Sequence, residues 1–193
     1  MRKAPILLVI AAFFAVGTHP VQGQVTIKGG VSHARVSSTG AFPADLGSRT
    51  GFALGLALTS EPSLLGFGVE ALYAQRGGGP SGEVDGRDLD YIDVPAYVRV
   101  MLPAPGLAPF AYAGPQVSFE VRCREGNADC TDFDRRTTTY AGVIGAGVQL
   151  GSGSRLSVEG RYVYGLQDLH LDTVTESGNY RNRSFMILVG VSF

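Results

Sequence analysis

In Asn182-Arg-Ser-Phe-Met-Ile-Leu-Val-Gly-Val-Ser-Phe193 alternate residues fall into two sets. Phe185, Ile187, Val189, Val191 and Phe193 are large and apolar, while Ser184, Met186, Leu188, Gly190 and Ser192 between them are smaller and mixed. Successive side chains leave a pleated backbone on opposite sides, so period-two alternation marks a strand whose faces meet different surroundings. This strand ends the sequence on an aromatic residue. Left open, such an apolar edge would present a row of unpaired backbone groups and invite aggregation. Pairing the last strand with the first removes the edge. The stretch therefore predicts the closing strand of a small transmembrane β-barrel.

Upstream, the same alternation predicts an all-β, eight-stranded antiparallel up-and-down barrel, with strands near 25–37, 50–60, 65–77, 88–102, 108–123, 136–151, 154–167 and 182–193. Each is long enough to cross a bilayer at the usual tilt. Short connections (61–64, 103–107, 152–153) alternate with long polar ones (38–49, 78–87, 124–135, 168–181), the layout of an outer-membrane barrel with both termini in the periplasm and long loops outside. Phe52, Leu54, Leu56 and Leu58 alternate with small residues, and Ile92, Val94, Ala96, Val98 and Val100 alternate with Tyr91, Asp93, Pro95, Tyr97 and Arg99. The first strand is plainer, with Val25, Ile27, Gly29 and Val31 set against Lys28, Gly30 and Ser32. Pro95 and Pro115 fall within strands, where a missing donor predicts a bulge or bend. Tryptophan is absent, so the interfacial girdles fall to Phe67, Phe110 and Phe193 at one end and Tyr73, Phe119, Tyr140 and Tyr164 at the other, with Phe110 open to the alternative of filling the interior.

Residues 1–23 read as a signal peptide: a basic start (Arg2, Lys3), an apolar run from Pro5 to Gly17, and Val21-Gln22-Gly23 where a signal peptidase would cut. Residues 24–193 then form one barrel domain. Losing Arg2 and Lys3 takes the 16 basic residues to 14 against 17 acidic ones, a formal charge of −3. That balance argues against nucleic acid as a partner. Cys123 and Cys130 are the two cysteines; in an exported chain they predict a disulfide, and with no histidine near them no metal site is expected.

Leu64-Leu-Gly-Phe-Gly-Val-Glu-Ala-Leu-Tyr-Ala-Gln-Arg-Gly77, Leu89-Asp-Tyr-Ile-Asp-Val-Pro95, Pro109-Phe-Ala-Tyr-Ala-Gly-Pro115, Ala146-Gly-Val148 and Glu159-Gly-Arg-Tyr-Val-Tyr-Gly165 follow one another in the order of a known set of strand motifs. Together they resemble the outer-membrane β-barrel domain family, porin-family or PorT-like, with the architecture of small eight-stranded barrels such as OmpA and OmpX. The resemblance spans the mature chain and implies an outer-membrane location. It does not fix an activity.

An eight-stranded barrel is just wide enough for side chains to fill its interior. Strand parity places Glu70, Arg76, Asp93, Arg99, Glu120, Arg122, Glu159 and Arg161 inside, acids and arginines in balance. Counting from the short turns predicts a central ion-pair cluster of Glu70, Arg99, Glu159 and Arg161, with Asp93, Glu120 and Arg122 nearer the outer mouth. The cluster reads as a plug; the alternative is a narrow gated pore. A rim-located lipid-modifying enzyme is a third reading, with His33 beside Ser32, or His170 beside Asp168 or Asp172, as its only candidates. Neither pair brings a complete catalytic set, so no catalytic residue and no cofactor are expected. The charged long loops read as solvated surface. The expected partners are outer-membrane lipid and lipopolysaccharide, and the barrel-assembly machinery through the strand ending in Phe193. The resemblance also allows a secretion or envelope protein.

Overall fold

The computed structural model describes residues 23–39, 45–60, 64–78, 87–102, 104–125, 128–129, 138–151, 155–166 and 179–193. Eight long strands make the wall: β1 (Gly23–Thr39), β2 (Asp45–Ser60), β3 (Leu65–Gly78), β4 (Arg87–Met101), β5 (Leu107–Glu125), β7 (Thr138–Leu150), β8 (Arg155–Gly165) and β9 (Asn179–Ser192). Every pairing is antiparallel. β1 is bonded to both β2 and β9, and β4 to both β3 and β5, so the sheet closes. Closure continues to the last residue, where Phe193 N donates to Val25 O at 2.9 Å and Val25 N returns a bond to Phe193 O at 3.3 Å. The two-residue β6 (Ala128–Asp129) pairs with Arg124 and Glu125 beyond the barrel wall. Two residues carry no periodicity, and the sequence gives no sign of it.

The alternation sorts as expected. Val25, Ile27, Leu54, Leu56, Ile144, Ile187 and Val189 all stand 43–58% exposed on the outer wall. Lys28, Glu70, Asp93, Glu159 and Arg161 are each at most 6% exposed inside. This inversion of the usual soluble arrangement suits a wall that faces hydrocarbon.

The expected bulge at each proline and the girdle place of Phe110 need correction. The register does not shift at Pro95 or Pro115. The β3–β4 ladder skips from Val69↔Ala96 to Leu72↔Asp93, and the β4–β5 ladder from Pro95↔Gln116 to Val98↔Ala113, with the alignment kept on both sides. The missing proline donors interrupt rungs without adding a residue. The shift in the β4–β5 ladder falls between Asp90 and Tyr91 instead, which pair with Arg122 and Glu120 and leave Val121 as the extra residue of a bulge. Finally, Phe110 is no interfacial girdle residue: it is 7% exposed and faces the lumen.

Candidate functional site

The middle of the lumen holds a closed ring of four charges drawn from three strands. Lys28 Nζ of β1 donates to Glu70 Oε1 at 2.6 Å and to Glu159 Oε2 at 2.9 Å. From the other side Arg161 Nη2 donates to Glu70 Oε2 at 2.5 Å and to Glu159 Oε1 at 3.0 Å. Each carboxylate thus lies between two cations, and the ring is neutral. Unpaired charge at this depth would be very costly, whereas two cations and two carboxylates in alternation neutralise one another.

Two tyrosines fix the carboxylates. Tyr97 OH donates to Glu70 Oε1 at 2.8 Å, and Tyr112 OH donates to Glu159 Oε1 at 3.0 Å while accepting from Arg161 Nε at 2.7 Å. Their rings meet with centroids 4.6 Å apart. Each ring lies across a glycine of the neighbouring strand: Tyr97 is paired with Gly68 and Tyr112 with Gly145. A Cβ at Gly68 would come within 2.4 Å of the Tyr97 ring, and one at Gly145 within 2.3 Å of the Tyr112 ring. The absence of a side chain at these glycines is what lets the rings lie inward over the strand.

On the long-loop side of the ring comes an apolar layer. Leu72, Met186 and Leu188 are at most 1% exposed and belong to one buried cluster with Val143 and Val163. Arg76 and Asp93 form a second ion pair beyond it, with the Arg76 guanidinium 5.6 Å from the Tyr91 ring centre. Toward the short turns, Thr26, Thr59, Ser157 and Ser192 line a cavity of about 10 Å³ together with Lys28, Tyr97, Arg99, Phe110, Tyr112, Gln149 and Glu159. That is room for about one water molecule.

The ring therefore brings together Glu70, Glu159 and Arg161 of the expected cluster, but not Arg99. The ladder sets Arg99 opposite Gly66 and Tyr112, well toward the short turns from the rung of Glu70. There its guanidinium lies 4.2 Å from the Phe110 ring centre, and Nη2 is 3.4 Å from Gln149 Oε1. Counting heights from the turns ignores the stagger that closure imposes on neighbouring strands. Lys28, absent from the expected charge count, takes the fourth place. Its position on the inward set of β1 was already visible in the alternation of Val25, Ile27 and Val31.

Asp93 and Arg76 lie nearer the long loops, paired with each other. Glu120 is half-buried opposite Tyr91. Arg122 is not a lumen residue: its side chain is 49% exposed, with Nη1 4.0 Å from Asp90 Oδ2. The bulge is the cause, since Val121 and Arg122 are both exposed and Cys123 is turned in. Cys130, and the candidates His170, Asp168 and Asp172, lie outside the described residues, as do residues 1–22 of the expected signal peptide 1–23. Ser32 and His33 do not form a catalytic pair. Ser32 is buried inside, whereas His33 is exposed outside with Nδ1 3.1 Å from Thr50 Oγ1. Among the described residues no group of three or more histidine, cysteine, aspartate or glutamate side chains could hold a metal.

The family model described as "Outer membrane protein beta-barrel domain" matches residues 6–193. Among solved structures, Neisserial surface protein A is similar over 88% of this chain and 97% of its own, with a TM-score of 0.57 and 17% identity. Ail, the attachment invasion locus protein of Yersinia pestis, solved with the heparin analogue sucrose octasulfate, is similar over 89% of this chain and 99% of its own, with a TM-score of 0.50 and 18% identity. The outer membrane enzyme PagL gives 83% and 98% coverage, a TM-score of 0.46 and 13% identity. No protein of curated function matches.

Proposed function

The chain belongs to the outer-membrane β-barrel domain family, and from that premise we propose that it is a structural or surface-interaction protein whose lumen is plugged by its own side chains. The observation that carries the proposal is the neutral ring of Lys28, Glu70, Arg161 and Glu159, backed by the apolar layer of Leu72, Met186 and Leu188. A conducting path would have to break four ion pairs and then part an apolar layer in which an ion finds no ligand. No catalytic step is assigned. In this reading the long loops face outward, both termini lie in the periplasm, and Cys123 is bridged to Cys130 at the base of a loop. Its partners are membrane lipid, the assembly machinery and a surface or envelope protein.

Recording from the purified protein in planar bilayers tests the plug. The expected result is a silent membrane at protein levels where incorporation is demonstrated by flotation. A stable, large conductance would overturn the plug in favour of the gated pore.

A further inference from the structure

On the short-turn side of the ring, the lumen carries one cation more than its acids answer. The residues lining the small cavity there include two cations, Lys28 and Arg99, and one carboxylate, Glu159. Both oxygens of Glu159 are taken, Oε2 by Lys28 and Oε1 by Tyr112 and Arg161. Arg99 has no such partner. Its guanidinium lies over the Phe110 ring, and Nη2 reaches the Gln149 amide oxygen at 3.4 Å and Met101 Sδ at 4.0 Å. No carboxylate among the described residues is ion-paired to it. Of the undescribed residues in the short connections (61–63, 103 and 152–154) and before Gly23, Glu61 is the one acid.

Three hydrogen-bond donors belong to this cavity. Arg99 Nε is buried with no hydrogen-bond partner in the protein, and so is Thr59 Oγ1, on a residue 5% exposed. Lys28, also buried, gives protons to Glu70 and Glu159 and has a third. The neighbouring hydroxyls are engaged, Thr26 with Ser192 at 2.8 Å and Ser157 with the Gly190 carbonyl at 3.4 Å. A water molecule would accept from these donors without answering the surplus charge, and a desolvated cation with no counter-charge is costly.

We propose that the cavity is a binding site for one halide ion of the size of chloride, held by Arg99 Nε, Thr59 Oγ1 and the third proton of Lys28 Nζ. Charge and size both select it. One monovalent anion brings the lining to neutrality, and bonds to it from a guanidinium and an ammonium are charge-assisted. A space of about 10 Å³ takes an ion little larger than water and excludes sulfate, phosphate or a sugar acid. The ion would tie β1, β2 and β4 together on the short-turn side. The site needs the charged ring to form but not the apolar layer beyond it to seal, so it stands apart from the plugged lumen and from the conductance that tests it.

The test unfolds the chain of residues 24–193 in urea, in phosphatidylcholine vesicles, with sodium gluconate replaced stepwise by sodium chloride, bromide or sulfate at constant ionic strength. An ion held by the folded state alone raises the unfolding midpoint as its concentration rises. Salts also act on any protein surface, and that share is common to parent and variants. The parent's midpoint should rise with chloride beyond that common share, and bromide should act in its place. Arg99→Gln should need roughly tenfold more chloride for the same rise, the loss expected for a hydrogen bond to a charged group, and so should Thr59→Val, which carries the test should Arg99→Gln not fold. Arg122→Gln on the outer wall, and Glu61→Gln, should respond like the parent. The proposal is overturned if the parent responds no more than Arg99→Gln or Thr59→Val, the result expected of a cavity that holds water alone. It is overturned equally if Arg122→Gln loses as much, or if sulfate separates parent from variant as well as chloride does. A response present in Glu61→Gln and absent in the parent would show that Glu61 already answers Arg99, and would overturn it too.

Discussion

Lys28 reaches the lumen from a strand whose next inward residues are Gly30 and Ser32, and it is held there by two carboxylates. Lys28→Met would leave Glu70 and Glu159 sharing Arg161 alone, with one buried negative charge uncompensated. Breaking a buried pair from one side costs about 3–5 kcal/mol, whereas replacing both partners together is often close to neutral. Urea unfolding in lipid vesicles should therefore show Lys28→Met strongly destabilised and Lys28→Met/Glu70→Gln largely recovered. Equal losses in the single and double variants would mean that the ring does not act as a unit. The tyrosines allow a second test. Gly68→Val puts a branched side chain where the Tyr97 ring lies, and Tyr97 cannot retreat freely because it rests on Tyr112. The variant should lose stability, by about 1–3 kcal/mol as for other overpacked interiors, and Gly68→Val/Tyr97→Ala should lose less than the two single changes combined.

At the level of the strand, β9 carries its chemistry on alternate residues: Phe185, Ile187, Val189 and Val191 outside, Ser184, Met186 and Leu188 inside. Ile187→Arg should cost about 2–4 kcal/mol in a bilayer if its position is close to the midplane, while Ser184→Ala, inside, should be nearly neutral. Equal effects on folding into vesicles would contradict the assignment of faces. That assignment was legible because period two needs no knowledge of neighbours. Where two strands must be known at once, the sequence is silent. Val121 looks like any outward residue of β5, and only its lack of a partner on β4 reveals the bulge that turns Arg122 out and Cys123 in. The stagger between strands likewise decides that Arg99 meets Phe110 and Gln149 rather than Glu70. Lys28 is a different case, since period two alone sets it inward beside Gly30 and Ser32 and no knowledge of a neighbouring strand is needed to add its charge to the lumen. The apolar layer of Leu72, Met186 and Leu188 was hidden because these residues alternate with larger outward ones and read simply as the mixed face.

The whole molecule is a ribbon closed on itself, and closure and polarity together decide where it can exist. Every long strand has a partner on both sides, so the wall offers no edge of unpaired amides to hydrocarbon. The outer surface carries a continuous band that includes Phe52, Leu54, Leu56, Phe67, Ile144 and Ile187, all 48–64% exposed. Soluble proteins rarely expose a contiguous apolar patch beyond a few hundred Å². Inside, ion pairs and apolar side chains fill the space a soluble barrel would give to its core, so turning the sheet inside out would bury the ring charges in no better place. Water therefore cannot replace lipid around this wall. A chain of residues 24–193 exchanged from micelles into detergent-free buffer should aggregate or unfold, and adding micelles or vesicles back should restore a monomer with full strand content by circular dichroism. Removing residues 179–193 should abolish that recovery, because β1 and β8 would each face the membrane with an open edge. A monodisperse, folded monomer in plain buffer, or a truncated chain that inserts as well as the parent, would show that neither the apolar band nor closure governs the fold.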